Sequence, residues 1–177
     1  MKYFTVSLLA LLLLVLVAPA QSQTHSEATR EGSILLSGGF AFSSQGREKS
    51  DDRITTISLV PSMLAFVSPG FGLGGDLSLT YIGVGSSSQT TIGIGPKAAY
   101  FFDSGSSTIP FLGAGVSFLS YSNGSSSTGY RVKIGGGILL RKDHLGVIIE
   151  ADYVLDTVED ISYNTIMLNL GFAGLLY

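Results

Sequence analysis

One alternation recurs eight times along this chain and leaves few folds open to it. Large apolar residues take every second position, and the positions between hold mostly Gly, Ser, Thr, Ala or charged residues. In the last repeat Ile166, Leu168, Leu170, Phe172 and Leu176 share one face, opposite Thr165, Asn169, Gly171 and Ala173. A period of two is that of a β-strand, whose side chains point to opposite faces in turn. The pattern places strands at about 33–43, 54–67, 71–84, 90–102, 109–121, 130–140, 145–155 and from 163 onward. An apolar face backed by a small or polar one, eight times over, predicts an all-β fold. The expected form is an eight-stranded, antiparallel, up-and-down transmembrane barrel with lipid outside.

Two features of the pattern support an outward lipid-facing surface. No outward position in the strand cores carries a charge. The six charges inside those cores, Asp76, Lys97, Arg131, Lys133, Glu150 and Asp152, all fall on the other face. A basic residue at the lipid midplane costs roughly 2–4 kcal/mol, so this sorting is expected of a face that meets hydrocarbon. Outward aromatics also sit near strand ends, at Phe71, Tyr81, Tyr100, Phe102, Phe118, Tyr130 and Tyr153, as interfacial girdles require. A soluble, lipocalin-like barrel would turn its apolar face inward. Glycines and charges would then lie outside, and the inward face of this chain suits a greasy pocket poorly.

The first twenty residues differ from the rest. Lys2, an apolar run from Phe4 to Val17 and the small residues of Ala18-Pro19-Ala20 predict a cleaved signal peptide, 1–20. The run is shorter than the roughly 20 residues of a spanning helix. Residues 21–32 read as a polar lead-in, and 33–177 as the barrel. The chain has no Cys, so it has neither a disulfide framework nor thiolate chemistry. A formal net charge of −3 without a basic cluster argues against nucleic acid. Apart from the expected signal no apolar run reaches helix-spanning length, yet mean hydropathy is positive and charged residues are only 13%, as expected where apolar residues are interleaved rather than run together.

Connections alternate in kind. Short turns are expected at 68–70, 103–107 and 141–144, on the periplasmic side with both termini. Polar loops are expected at 46–53, 85–89, 122–129 and 156–162, facing outward. Strand 8 must close on strand 1, because an open edge cannot be hydrated in lipid. Pro61 and Pro96 lie within strands and cannot donate to a ladder.

The layout resembles the OmpX/OmpA-type small outer-membrane β-barrel domain family of Gram-negative bacteria over about 33–177. The segments that carry the resemblance are Leu59-Val-Pro-Ser-Met63, Leu77-Ser-Leu-Thr-Tyr81, Ile94-Gly-Pro-Lys-Ala98 and Pro110-Phe-Leu-Gly-Ala-Gly115. Gly135-Gly-Gly137 through Ile149-Glu-Ala151 and Leu168-Asn-Leu-Gly-Phe172 complete the set. The resemblance implies a porin-like barrel, an integral protein of the Gram-negative envelope located in the bacterial outer membrane. With Pro at matching places, it implies a bulge at Pro61 and at Pro96. It implies contact with outer-membrane lipids and lipopolysaccharide, delivery by periplasmic chaperones to the barrel-assembly machinery, and a monomer. It also implies a C-terminal assembly signal at Leu170, Phe172, Leu176 and Tyr177; Gly174 departs from the pattern, standing where an aromatic is usual.

Candidate sites are few. The Gly-x-Gly repeats at 70–75, 93–95 and 113–115 lack the helix that a nucleotide site needs after its glycines. They read instead as room made inside a narrow lumen, where positions 72, 74, 93, 95, 113, 115, 135 and 137 are all Gly. The inward charges are expected to form a lumenal network, Asp76 beside Lys97 on one hairpin and Arg131 and Lys133 opposite Glu150 and Asp152 on another. Partly buried charges need partners. No cofactor or metal is expected, since the two histidines, His25 and His144, are scattered. Neither is placed to activate a serine at the outer rim, so an enzyme is not expected. The expected role is structural or a surface interaction through the outer loops, in adhesion or envelope integrity. A narrow pore is the alternative, and a lipid-modifying enzyme comes third.

Overall fold

The computed structural model describes residues 26–47, 50–85, 87–123, 125–158 and 161–177. The expected signal peptide and His25 lie outside the described residues. Eight strands follow one another: β1 (Ile34–Arg47), β2 (Ser50–Ser68), β3 (Phe71–Val84), β4 (Ser87–Phe101), β5 (Thr108–Asn123), β6 (Ser125–Lys142), β7 (Leu145–Val158) and β8 (Ile161–Leu176). They close into one antiparallel barrel, each strand beside its neighbours in sequence and β8 beside β1. The three short turns lie at the end that carries Ser26, the first described residue, and Tyr177; this end is the base. The other hairpins form the rim.

The two faces sort as the alternation requires. Phe40, Met63, Ile94, Phe118, Ile149 and Leu168 are exposed around the outside, while Asp76, Lys97, Glu150 and Asp152 are buried within. The rim departs from expectation. Only one or two residues separate the rim hairpins, because the strands run on through the segments expected as loops. Charged and Gly/Ser-rich segments were expected to break strands, yet water beyond the membrane solvates such side chains while the backbone stays paired, and antiparallel strands can be joined by two residues. Strands of 14–19 residues reach about 35–50 Å in height at ~3.3 Å per residue and ~40° tilt, against an apolar band of ~25 Å. The rim is therefore a collar of extended hairpins.

Neither proline needs the expected bulge. Pro61 pairs with Gly38 on β1, and the β2–β3 ladder resumes in unchanged register from Leu59↔Leu79 to Ser62↔Asp76. Pro96 pairs with Gly75 on β3, and the β4–β5 ladder likewise resumes from Ile94↔Phe118 to Lys97↔Gly115. Each ladder simply opens across two positions on the side where the proline lacks its N–H.

The inward glycines have a second cause beyond lumenal room. A Cβ at Gly74 would run into the Met63 carbonyl on β2, and one at Gly95 into the Val116 carbonyl on β5. Neighbouring backbone occupies the side-chain position there, as at the kinks that let a small barrel bend. Gly93 fits the original account, because its Cβ would meet the Ser78 hydroxyl and Leu119 inside the lumen.

Closure of the barrel is shorter than expected. β8 pairs with β1 from Ile34↔Leu176 to Gly39↔Gly171 and no further.

Candidate functional site: the layered lumen

The lumen is layered from base to rim. At the base the alternation breaks down, and apolar residues stand side by side: Leu35-Leu36, Phe101-Phe102, Phe111-Leu112, Leu139-Leu140 and Leu175-Leu176. The inward member of each pair is buried. Phe101 stacks on Phe111, with ring centroids 5.0 Å apart, and meets Phe66 edge-on at 5.3 Å. Such pairs each contribute roughly 0.5–1.5 kcal/mol beyond their buried area. The interior here is a packed plug.

The polar lead-in seals this plug from below. A single 3-10 turn, Glu27–Thr29, places Ala28 and Thr29 fully out of solvent. Gly32 N–H donates to the Phe66 carbonyl at 2.9 Å, and Gly70 N–H donates to the Thr29 carbonyl at 2.8 Å. Asp103, in the β4–β5 turn, anchors the lid. Its carboxylate accepts from the Ser26 hydroxyl, from Thr29 Oγ1 at 2.7 Å and from the Gly105 N–H at 2.8 Å. Burial pushes the Asp103 carboxyl up, but these donors outweigh it and hold it below its ordinary value.

Above the plug lies the charged layer, and its pairing differs from expectation. Asp76 faces Gly95 in register, and Lys97 faces Gly74, so the two residues of that hairpin do not pair. Instead Lys97 Nζ reaches across to Glu150 Oε1 on β7 at 3.1 Å, and Lys133 Nζ on β6 reaches Asp76 Oδ2 on β3 at 3.0 Å. Ser117 Oγ also donates to Asp76, at 3.2 Å, and Asn169 Nδ2 donates to Asp152 at 2.9 Å. The two ion pairs are struts between walls three strands apart.

Arg131 stands one step nearer the rim and leaves the expected group. It grips Asp156 in two parallel bonds, Nε to Oδ1 and a terminal nitrogen to Oδ2, both 2.7 Å. The turn explains the difference. Lys142 pairs with Leu145 across only Asp143 and His144, and Asp143 adopts a positive φ of 53°. That tight turn puts Arg131 opposite Asp156, Lys133 opposite Val154, Gly135 opposite Asp152 and Gly137 opposite Glu150. Reading the turn as four residues, and Asp156 as loop, had displaced the register. Asp156 shares its parity with Glu150 and Asp152, which was the available signal.

The expected C-terminal signal residues lie at the base of β8. Leu170, Phe172 and Leu176 are exposed on the outer face, and Tyr177 stacks on His144, with centroids 4.5 Å apart. His144 Nδ1 lies 3.1 Å from the Leu175 carbonyl. At Gly174 a Cβ would meet open space, so nothing in the fold excludes a larger residue there. Among the described residues no group of three or more His, Asp and Glu is arranged to hold a metal ion.

No protein-family model matches the chain, and no curated protein sequence matches it. Solved structures do. Neisserial surface protein A (NspA) aligns over 80% of this chain and 95% of its own, with 19% identity and a TM-score of 0.53. The outer membrane protein OprG from Pseudomonas aeruginosa aligns over 85% of this chain and 98% of its own, with 11% identity and a TM-score of 0.52. The fold is that of the small outer-membrane barrels. At these identities the likeness carries the fold and no activity.

Proposed function

We propose that the protein is an integral barrel of a bacterial outer membrane that serves as a non-conducting anchor. It would present the rim hairpins for a structural or surface-interaction role, in envelope integrity or adhesion. The observation that carries this reading is the filled base, where Leu35, Phe66, Phe101, Phe111, Leu139 and Leu175 pack inside the barrel above the lid formed by Ala28 and Thr29. A narrow pore, the alternative, needs a water path through that plug and past two cross-lumen ion pairs. An enzymatic role needs a base near the rim, whereas His144 sits at the opposite end against Tyr177.

On this reading the exposed belt is solvated by outer-membrane lipid, including lipopolysaccharide at the rim. The belt also needs chaperones to shield it in the periplasm before the barrel-assembly machinery inserts the chain, presented from β8, as a monomer. Planar-bilayer recording on purified, heat-modifiable protein tests the reading. The expected result is no steady unitary conductance. A stable, voltage-independent channel in most insertions would overturn it.

A further inference from the structure

The seam between β1 and β8 is incomplete, and the missing part begins inside the apolar belt and runs on to the rim. Continuing its register would set Phe40 opposite Leu170 and Phe42 opposite Leu168, but no ladder joins them. β1 meanwhile stays paired with β2 to Arg47, and β8 with β7 to Ile161. β8 is exposed on both faces from Ile161 to Ile166. The lips of the gap are apolar: Phe40 is 65% exposed, Ile166 77% and Leu168 82%.

Behind the foot of this gap lies a cavity of about 60 Å³. It reaches the wall at Gly38, Gly39 and Gly171 and is lined inside by Ser62, Asn169 and the paired charges. Three glycines at one place leave no side chain between cavity and seam. Ser62 Oγ is, among the described residues, the buried side-chain polar atom without a hydrogen-bond partner. The volume suits about four waters, or a group of that size.

These features specify an occupant. Every second residue along each free strand edge turns its N–H and C=O toward the gap. In hydrocarbon, each such group left unmet costs several kcal/mol. The occupant must therefore hydrogen-bond at the edge while meeting apolar lips. The lysines of the cavity already hold carboxylates, so a charged head group would have to break a pair, whereas a neutral one would not. We propose that the β1–β8 gap is a lateral binding site for a single-chain amphiphile with a small, uncharged, hydroxylated head. The head sits in the Ser62 cavity and the chain lies between Phe40, Phe42, Ile166 and Leu168. Because the base is filled, the site is blind: it takes its ligand from the bilayer and returns it there.

The test uses the whole barrel in phosphatidylcholine nanodiscs, titrated with monoolein and followed by amide shifts. Saturable shifts centred on Gly38, Gly39 and Gly171 are expected. Ser62→Leu fills the cavity without removing a hydrogen bond and should weaken binding at least tenfold. Ser37→Leu, its register partner on β1, is the second variant should the first fail to fold. Oleate, with a charged head on the same chain, should bind at least tenfold more weakly than monoolein, and Val116→Ala on the outer face of β5 should change nothing. The seam is read separately by cysteine pairs, since the chain has no Cys. Gly38→Cys with Phe172→Cys, partners in the paired part, should cross-link on oxidation, and Phe42→Cys with Leu168→Cys should not. Quantitative cross-linking of the second pair overturns the proposal. So do monoolein shifts spread evenly around the belt, or shifts indifferent to the filled cavity.

Discussion

Removing Lys97 should destabilise the barrel far more than removing its partner. The Lys97 and Glu150 side chains are only 8% and 11% exposed and meet at 3.1 Å. In their layer two lysines face three carboxylates, Asp76, Glu150 and Asp152. Lys97→Met strands the Glu150 charge and deepens the negative excess, so it should cost about 3–5 kcal/mol, the usual range for breaking a buried pair from one side. Glu150→Gln keeps an acceptor for Lys97 and relieves that excess. Its cost should stay near 1–2 kcal/mol, the scale of a weakened charged hydrogen bond. The double variant Lys97→Met/Glu150→Met leaves no orphan charge and should return to within about 1 kcal/mol of the parent. The assay is reversible urea unfolding in lipid vesicles, followed by fluorescence from a single introduced Trp, since the chain has none. Equal costs for the two single changes, or a Lys97→Met cost below about 1 kcal/mol, would show the layer to be hydrated enough to screen its charges. The reasoning from burial would then fail.

Further tests fall at the kinks and at the lid. Gly74→Ala puts a methyl against the Met63 carbonyl and should sharply reduce the yield of the folded, heat-modifiable form. Gly72→Ala, whose nearest neighbour would be the Leu64 Cβ at 3.3 Å, should fold nearly as well as the parent. Asp103 titrates in the fold below its ordinary value, so the stability it adds is fully present above the unfolded value of about 3.9 and is lost as pH falls through the folded one. Limited proteolysis of the lid should therefore be slow at pH 7 and accelerate only well below pH ~4. Asp103→Asn should release the lid already at neutral pH, because an amide accepts fewer of the donors from Ser26, Thr29 and Gly105. Gly174→Phe should leave stability unchanged, since open space surrounds that position.

The barrel was legible in the sequence because period-two alternation survives through the middle of every strand and because lipid forbids charge on one face. Two of the three base turns were legible too, as Pro69-Gly70 and Gly105 mark them by residue type. The rim was misread because charged and Gly/Ser-rich segments look like loops, whereas water lets a hairpin continue past the membrane with its backbone paired. Partners of the inward charges could not be read from hairpins alone. Lys97–Glu150 and Lys133–Asp76 join strands three apart, and only closure of the barrel brings them together. Register through Asp143–His144 decided the Arg131–Asp156 pair, and two residues of turn length displaced it. The plug did leave a trace, in the doubled apolar positions near the base. Reading the inward face as mostly small or polar passed over Phe66, Phe101 and Phe111.

The sorting of side chains between two environments is tested most directly by single spin labels placed through β7, from Val147 to Leu155, in lipid vesicles. Labels at 147, 149, 151, 153 and 155 should collide with oxygen, which concentrates in hydrocarbon. Labels at 148, 150, 152 and 154 should be shielded from it, giving a period of two in phase with the alternation. A flat profile, or one with the even positions facing lipid, would contradict the outward apolar face on which the whole fold rests.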